Sequence, residues 1–486
     1  MALLCADIGS TYTKVAAVGA DGELLATATR RTTTETDVLD GLAAARAQVE
    51  AELPNGTDTG PLRVCSSAGG GLRLAVIGNE PLVTATAAHR AGLSAGARVV
   101  HVAAGAVDRA DLAELAADSP DVILLAGGTD GGDETVVRRH AAVLAAAVAD
   151  DPRLRVPVVV AANRDAVDDI TAQLAAVGAA AVAVDNVLPR IGTLQPTPAR
   201  IALREMFLRH VIAGKRLSAS NRLESLVRAA TPDAVLAGVE LLADGVPGVP
   251  TVGDLVVLDV GGATTDVYSV LTPDAEMTGP RREVAGTAWR SRTVEGDLGL
   301  RHTAPGIVAA AAEEGLLAAS EAGGLEEAAQ RRAEAPGWLP DDAAGRAIDV
   351  RLTVLAIQVA LRRHARGERL GGADSPLRGG KDLRPVRLVV GSGGVLRNAP
   401  EAVAALREAT SADTAGGYPL PEDPFIVVDT SYVLAAAGLL AEDHPVTAYN
   451  LLKRNLVDRS RPSGGELAQP ISRTRLTGIG GQGLRF

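Results

Sequence analysis

Twice in this chain a short apolar run ends at an aspartate, passes through glycine and hydroxyl residues, and gives way to a second apolar run. Leu3 to Ile8 leads through Asp7-Ile-Gly-Ser-Thr-Tyr-Thr-Lys14, and Leu255 to Asp259 leads through Asp259-Val-Gly-Gly-Ala-Thr-Thr-Asp266. Apolar runs of this length, punctuated by glycine and small polar residues, read as strands joined by tight turns. A chain that spells the same strand–turn–strand unit in two distant places is expected to fold as two related halves. At 486 residues it is also too long for one ordinary domain.

Both turns have the composition of an anion-binding loop. In the first, Gly9 lets the backbone approach a ligand closely, while Ser10 and Thr11 offer hydroxyl and backbone N–H groups to phosphate oxygens. Asp7, at the strand end, is a candidate holder of a hydrated divalent cation, and Lys14 a candidate phosphate contact. Alone, the segment also reads as an ordinary hairpin with polar turn residues. In the second turn Gly261, Gly262, Thr264 and Thr265 take the corresponding places and Asp259 matches Asp7. Asp266, just past the turn, is placed to orient an attacking water or accept its proton. Facing each other across a cleft, the two turns would clamp a polyphosphate. Asp7 and Asp259 would share one Mg2+ through water, since that ion takes only one or two carboxylates. A third glycine turn, Gly391-Ser392-Gly393-Gly394, follows the strand-like run Val386 to Val390. Its bare backbone suits a flat purine and ribose, or simply a tight strand-to-helix turn.

The rest of the chain arranges itself around these turns. Residues 1–83 hold three strands, a helix and a further strand, the opening part of an RNase H-like half. Residues 84–196 alternate short β-rich runs with helical segments, which argues for an inserted parallel α/β subdomain. Residues 197–250 read as a helical connection ending in a Pro- and Gly-rich joint, 251–445 as the second RNase H-like half, and 446–486 as a polar C-terminal tail. Within the insertion, Leu124 to Gly132 lies where open α/β sheets bind ligands. Glu295 and Asp297 are carboxylates that would reach the cleft or sit on the surface.

Composition removes several function classes. A net charge of −11 with no basic stretch leaves no footprint for nucleic acid. No apolar run approaches the length of a membrane span, and Met1 opens no signal peptide, so a cytoplasmic protein is expected. Cys5 and Cys65 sit in strand-like runs and read as core thiols instead of a disulfide or metal pair. The seven histidines form no zinc spacing, and no D-x-H-x-x-G cobalamin pattern occurs.

The order of two phosphate turns and then a glycine-rich nucleoside turn resembles the actin-like ATPase (ASKHA) group, which includes heat-shock chaperones and sugar kinases. With Ser66-Ser-Ala-Gly-Gly-Gly-Leu-Arg73, Leu124-Leu-Ala-Gly-Gly-Thr-Asp-Gly-Gly132 and Val294-Glu-Gly-Asp-Leu-Gly299, the set looks like the methylaspartate (glutamate) mutase accessory protein family, from Met1 to about Ala441. The resemblance implies an α/β chain with a duplicated RNase H-like fold of the actin/heat-shock-chaperone ATPase type and an inserted α/β subdomain. It implies ATP and Mg2+ as ligands, with Asp7, Ser10, Thr11, Asp259, Gly261, Gly262, Thr264 and Asp266 at the phosphate and metal and Gly391, Gly393 and Gly394 at the adenosine. The expected activity is ATP hydrolysis driving a chaperone-like exchange of damaged for intact cobalamin in an adenosylcobalamin-dependent mutase, whose subunits would be the partners. A small-molecule kinase and an actin-like filament protein are the alternatives.

Overall fold

Strand β1 (Ala2–Ile8) is buried along its whole length, so it lies inside a sheet covered on both faces. In the computed structural model, which describes residues 1–68, 72–95, 97–208, 217–218, 222–249, 251–272, 290–369, 377–411 and 417–458, it pairs antiparallel with β2 (Tyr12–Gly19). The chain turns at Asp21-Gly22, where Gly22 takes φ 85°, into β3 (Leu24–Arg31). Asp37 accepts a hydrogen bond from the Leu39 N–H at 2.8 Å and so caps α1 (Val38–Glu52), which crosses to β4 (Arg63–Ser66), parallel to β1.

The insertion follows as β5 (Arg73–Gly78), α2 (Thr86–Ser94), β6 (Arg98–Ala104), α3 (Arg109–Ala117), β7 (Val122–Leu125), α4 (Thr135–Asp150), β8 (Val158–Val160), α5 (Arg164–Ala176) and β9 (Ala181–Ala183). Its five strands form one parallel sheet in the order β6-β5-β7-β8-β9. That sheet begins at Arg73, ahead of the boundary at residue 84 expected from sequence, because β5 pairs with both β6 and β7 instead of the first half.

The return path is α6 (Thr197–Met206), α7 (Arg222–Leu226), β10 (Val227–Ala230) and α8 (Thr231–Asp244). The expected helical connection thus contains a strand: β10 pairs parallel with β4 and completes the first sheet. Val-Arg-Ala-Ala has little strand propensity, and pairing with the β4 edge overrides it. The second half runs β11 (Leu255–Val260), β12 (Thr265–Val270), β13 (Arg290–Glu295), α9 (Ala304–Glu313), α10 (Ala319–Glu334), α11 (Ala343–Arg366), a small hairpin β14 (Gly367–Arg369) and β15 (Leu377–Gly379), β16 (Leu388–Ser392), α12 (Gly394–Asn398), α13 (Ala402–Thr410), β17 (Phe425–Val428), α14 (Val433–Leu440) and α15 (Pro445–Leu452). Where a polar tail was expected from residue 446, α15 buries Ala448, Tyr449, Leu451 and Leu452 in the core; residues 459–486 lie outside the described residues.

The two main sheets have the same strand order, β3-β2-β1-β4-β10 and β13-β12-β11-β16-β17, with the second strand antiparallel in each. This is a duplicated RNase H-like fold of the actin type carrying an α/β insertion. Between the sheets lie α8 and α14, packed in one core with Leu3, Cys5, Cys65, Leu255 and Val257. They touch at glycines: a Cβ on Gly438 would stand 1.7 Å from the Ala234 carbonyl oxygen, and one on Gly238 would stand 2.4 Å from that of Leu434. Cys5 and Cys65 are buried and free. No helix among the described residues is long and apolar enough to cross a membrane.

Candidate functional site

Each antiparallel pair carries one of the turns, β1–β2 the first and β11–β12 the second. Gly9 N–H donates to the Tyr12 carbonyl at 3.0 Å, and Gly261 N–H donates to that of Thr264 at 2.9 Å, so the two turns close identically. Their carbonyls are held from behind. Thr32 donates its N–H to Thr11 and its hydroxyl to Gly9, while Leu300, Arg301 and His302 donate N–H groups to Gly261 and Gly262. Among the described residues, the N–H groups of Ser10, Thr11, Gly262 and Ala263 donate no hydrogen bond. Such outward-facing N–H groups on glycine turns make an anion-binding concavity.

Asp7 and Asp259 stand at the base of these turns. Asp7 accepts from Lys14 Nζ at 3.2 Å, from the Thr231 hydroxyl at 2.6 Å and from the Cys65 thiol at 3.7 Å. Burial works against the Lys14 ammonium, but Asp7, with Tyr432 and Asp259, outweighs it and holds the group above the ordinary lysine range. Asp259 is pushed up to about 6, first by burial and then by the negative charges of Asp266 and Asp7, against the opposing pull of Lys14 and a hydrogen bond with Ser392. Asp7, Lys14, Asp259 and Asp266 therefore share one electrostatic neighbourhood, although Asp7 and Asp259 come from different halves.

Asp266 accepts from Arg292 Nε at 3.0 Å and Nη2 at 2.7 Å on one oxygen, and from the Thr264 hydroxyl at 3.1 Å on the other. Thr265, expected at the ligand, is fully buried and donates its hydroxyl to the Leu298 carbonyl at 2.6 Å, because adjacent residues of β12 point to opposite faces. The third turn divides in the same way. Gly391 makes room for Leu406, Gly393 takes φ 110° against the Val260 carbonyl, and Ser392 turns to Asp259; Gly394 alone of these four has open space where a side chain would be.

Other expected positions fall elsewhere. Glu295 and Asp297 both accept from Arg363, at 2.7 and 2.8 Å. The Gly127 to Gly132 turn is pinned inside the insertion by Asn163 and Asn186, whose amides donate to Gly132 and Gly128. Residues 69–71 of the Ser66 to Arg73 motif lie outside the described residues.

Sequence reasoning passed over Thr231, Arg292, Arg397 and Tyr432. The Tyr432 ring has Lys14 Nζ 3.8 Å from its centroid and the Arg397 guanidinium 3.9 Å away. With aromatic residues at only 2% of the chain, a tyrosine in a loop directly after a strand was the available signal. No group of three or more His, Cys, Asp or Glu side chains among the described residues forms a metal cage. Two carboxylates, Asp7 and Asp259, would suffice for a divalent cation that keeps most of its water.

A family model described as MutL protein matches residues 3–456. The protein described as "Protein MutL" from Clostridium tetanomorphum is 34% identical over 467 residues, covering 94% of this chain and 99% of that protein. Solved structures align more loosely. A glycerol dehydratase reactivase aligns at 15% identity and TM-score 0.33, over 91% of this chain and 99% of its own. A ROK family glucokinase from Streptomyces griseus in complex with glucose and AMPPNP aligns at 11% and 0.30, over 93% and 99%. An activator of the 2-hydroxyisocaproyl-CoA dehydratase from Clostridium difficile with bound ADPNP aligns at 10% and 0.29, over 96% and 100%.

Proposed function

The chain belongs to the MutL protein family, and from that premise we propose that it is an ATP-dependent reactivating factor for an adenosylcobalamin-dependent mutase of the glutamate mutase type. The observation that carries the nucleotide reading is the pair of identically closed turns. Their N–H groups at Ser10, Thr11, Gly262 and Ala263 donate no hydrogen bond among the described residues, and the carboxylates at their base, from two halves, lie close enough for Asp7 to help raise the Asp259 carboxyl.

In this reading the N–H groups of Ser10, Thr11, Gly262 and Ala263 and the Lys14 ammonium hold the phosphates, and Gly394 opens toward the nucleoside. Asp7 and Asp259 would hold the hydrated Mg2+, which supplies charge neutralisation of the phosphates. Asp266 keeps one oxygen on Arg292 and uses the other, beside Thr264, to orient a water. Closing the halves on a nucleotide requires α14 to move against α8, and the glycine contact between them is the natural pivot.

The insertion is the proposed client-facing part. It touches the second half at the strand leading to the second turn's support: α2 packs on β13, and Gly296 lies against Arg98. From Gly296 the chain continues into residues 300–302, which hold the Gly261 and Gly262 carbonyls. This continuity supports the view that a shift at the phosphates reaches the insertion and opens the bound mutase for cobalamin exchange. The test is to inactivate a candidate mutase with hydroxocobalamin and add this protein, Mg2+, ATP and fresh adenosylcobalamin. Activity should return, and should not return with Asp259→Ala; recovery undiminished by that change contradicts the proposal.

A further inference from the structure

Tyr432 has a conformation and a setting that the phosphate clasp alone does not require. It is one of two residues other than glycine with positive φ among the described residues, at φ 55° and ψ 43°, a region unfavourable for a bulky side chain. The turn is held in place from both sides: Asp429 accepts from the N–H groups of Val433 and Leu434, and Arg397 Nε donates to the Thr430 carbonyl at 2.8 Å. The result is a ring at the first turn of α14 that lines one pocket with Asp7, Lys14 and Arg397. Two cations lie over it, each within 4 Å of the centroid. Lys14 belongs to the first half, and Tyr432 and Arg397 to the second.

We propose that Tyr432 is a cross-lobe latch, a positioning residue whose ring ties the Lys14 ammonium of the first half to the hinge helix of the second until a polyphosphate draws Lys14 away. A cation over a ring is held more weakly than an ammonium donating to a phosphate oxygen, so the contact yields when the anion arrives. Because Tyr432 opens α14, losing Lys14 frees the helix that packs on α8. The release step rests on the nucleotide reading above; the tie itself does not.

The experiment uses the full chain with spin labels at Leu25→Cys on β3 and Val403→Cys on α13, both exposed, while the native cysteines are buried. Without nucleotide, Tyr432→Leu should add a longer-distance population between the labels, whereas Tyr432→Phe, which keeps the ring, should match the unmodified residue. With Mg2+ and a non-hydrolysable ATP analogue, all three should give the same distances. The Leu variant should also bind the analogue about threefold more tightly, since no latch has to be broken, the reverse of what damage to the site would do. Superimposable distances for Leu and Tyr without nucleotide, or a Phe variant that behaves like Leu, would overturn the latch. Weaker analogue binding by the Leu variant would overturn the release step. If the unmodified protein fails to bind the analogue in calorimetry, the nucleotide reading falls with the release step, while the nucleotide-free distances still decide the tie.

Discussion

Across the β1–β2 ladder Asp7 stands opposite Lys14, whereas across the β11–β12 ladder Asp259 stands opposite Asp266. The parallel neighbour on the other side is Cys65 in the first half and Ser392 in the second. One turn thus neutralises its aspartate locally, with an ammonium at 3.2 Å. The other places two carboxylates side by side and sends its cation, Arg292, to Asp266, so that burial and then the charge of Asp266 leave the Asp259 carboxyl raised. Duplication supplied the geometry twice, and divergence at one cross-strand position made one half the electrostatic anchor and the other the responsive partner.

The largest expected effect tests what the halves share. Gly438→Val forces a branched side chain into the Ala234 carbonyl and should cost at least ~3 kcal/mol in denaturant unfolding, or abolish folding; Gly238→Ala should cost less. Next come the two neutralising cations. Arg292→Met strands a buried Asp266 beside Asp259 and should destabilise by about 3 kcal/mol, with Lys14→Met, at a more open site, costing less.

The aspartates themselves should respond with opposite signs. Asp259 has a carboxyl raised from 3.8 to about 6, so the folded protein holds that proton more tightly than the unfolded chain, and ionisation costs stability as pH rises through that window. Asp259→Asn should therefore stabilise the protein at pH 7 by roughly 2 kcal/mol, an advantage that fades below about pH 4. Asp7→Asn removes an ion-pair partner and should destabilise at the same pH. Equal signs for the two changes in thermal unfolding would erase the distinction between the halves. The smallest effect is expected at Gly394→Ala, within about 0.5 kcal/mol, since nothing stands within 4 Å of the new methyl; Gly393→Ala, 2.2 Å from the Val260 carbonyl oxygen, should be far more damaging.

The duplicated strand–turn–strand units were legible because they are local: period, glycine and aspartate fall within a few residues. The inner helix α8 was not. Pro232 and Gly238 made residues 231–250 look like a joint, yet Pro232 occupies the first turn of a helix, Gly238 admits a neighbouring helix, and Gly245 ends it at φ 71°. Each residue is punctuation whose meaning depends on a partner far away in sequence. The same holds at the site. Asp7, Asp259 and Asp266 stand out as candidates because each precedes or follows a glycine turn, while Thr231, Arg292, Arg397 and Tyr432 come together only through the sheets, and Thr265 was assigned to the ligand because the motif does not reveal which face of β12 it takes.

The claim on which the account stands is that Asp7 and Asp259 act in one site. A double-mutant cycle in calorimetry tests it, using the affinity of a non-hydrolysable ATP analogue with Mg2+ for the unmodified chain, Asp7→Asn, Asp259→Asn and the double variant. A shared site predicts a coupling of about 1 kcal/mol or more, with the second change costing less than the first; strictly additive losses, or no loss from either change, would contradict it.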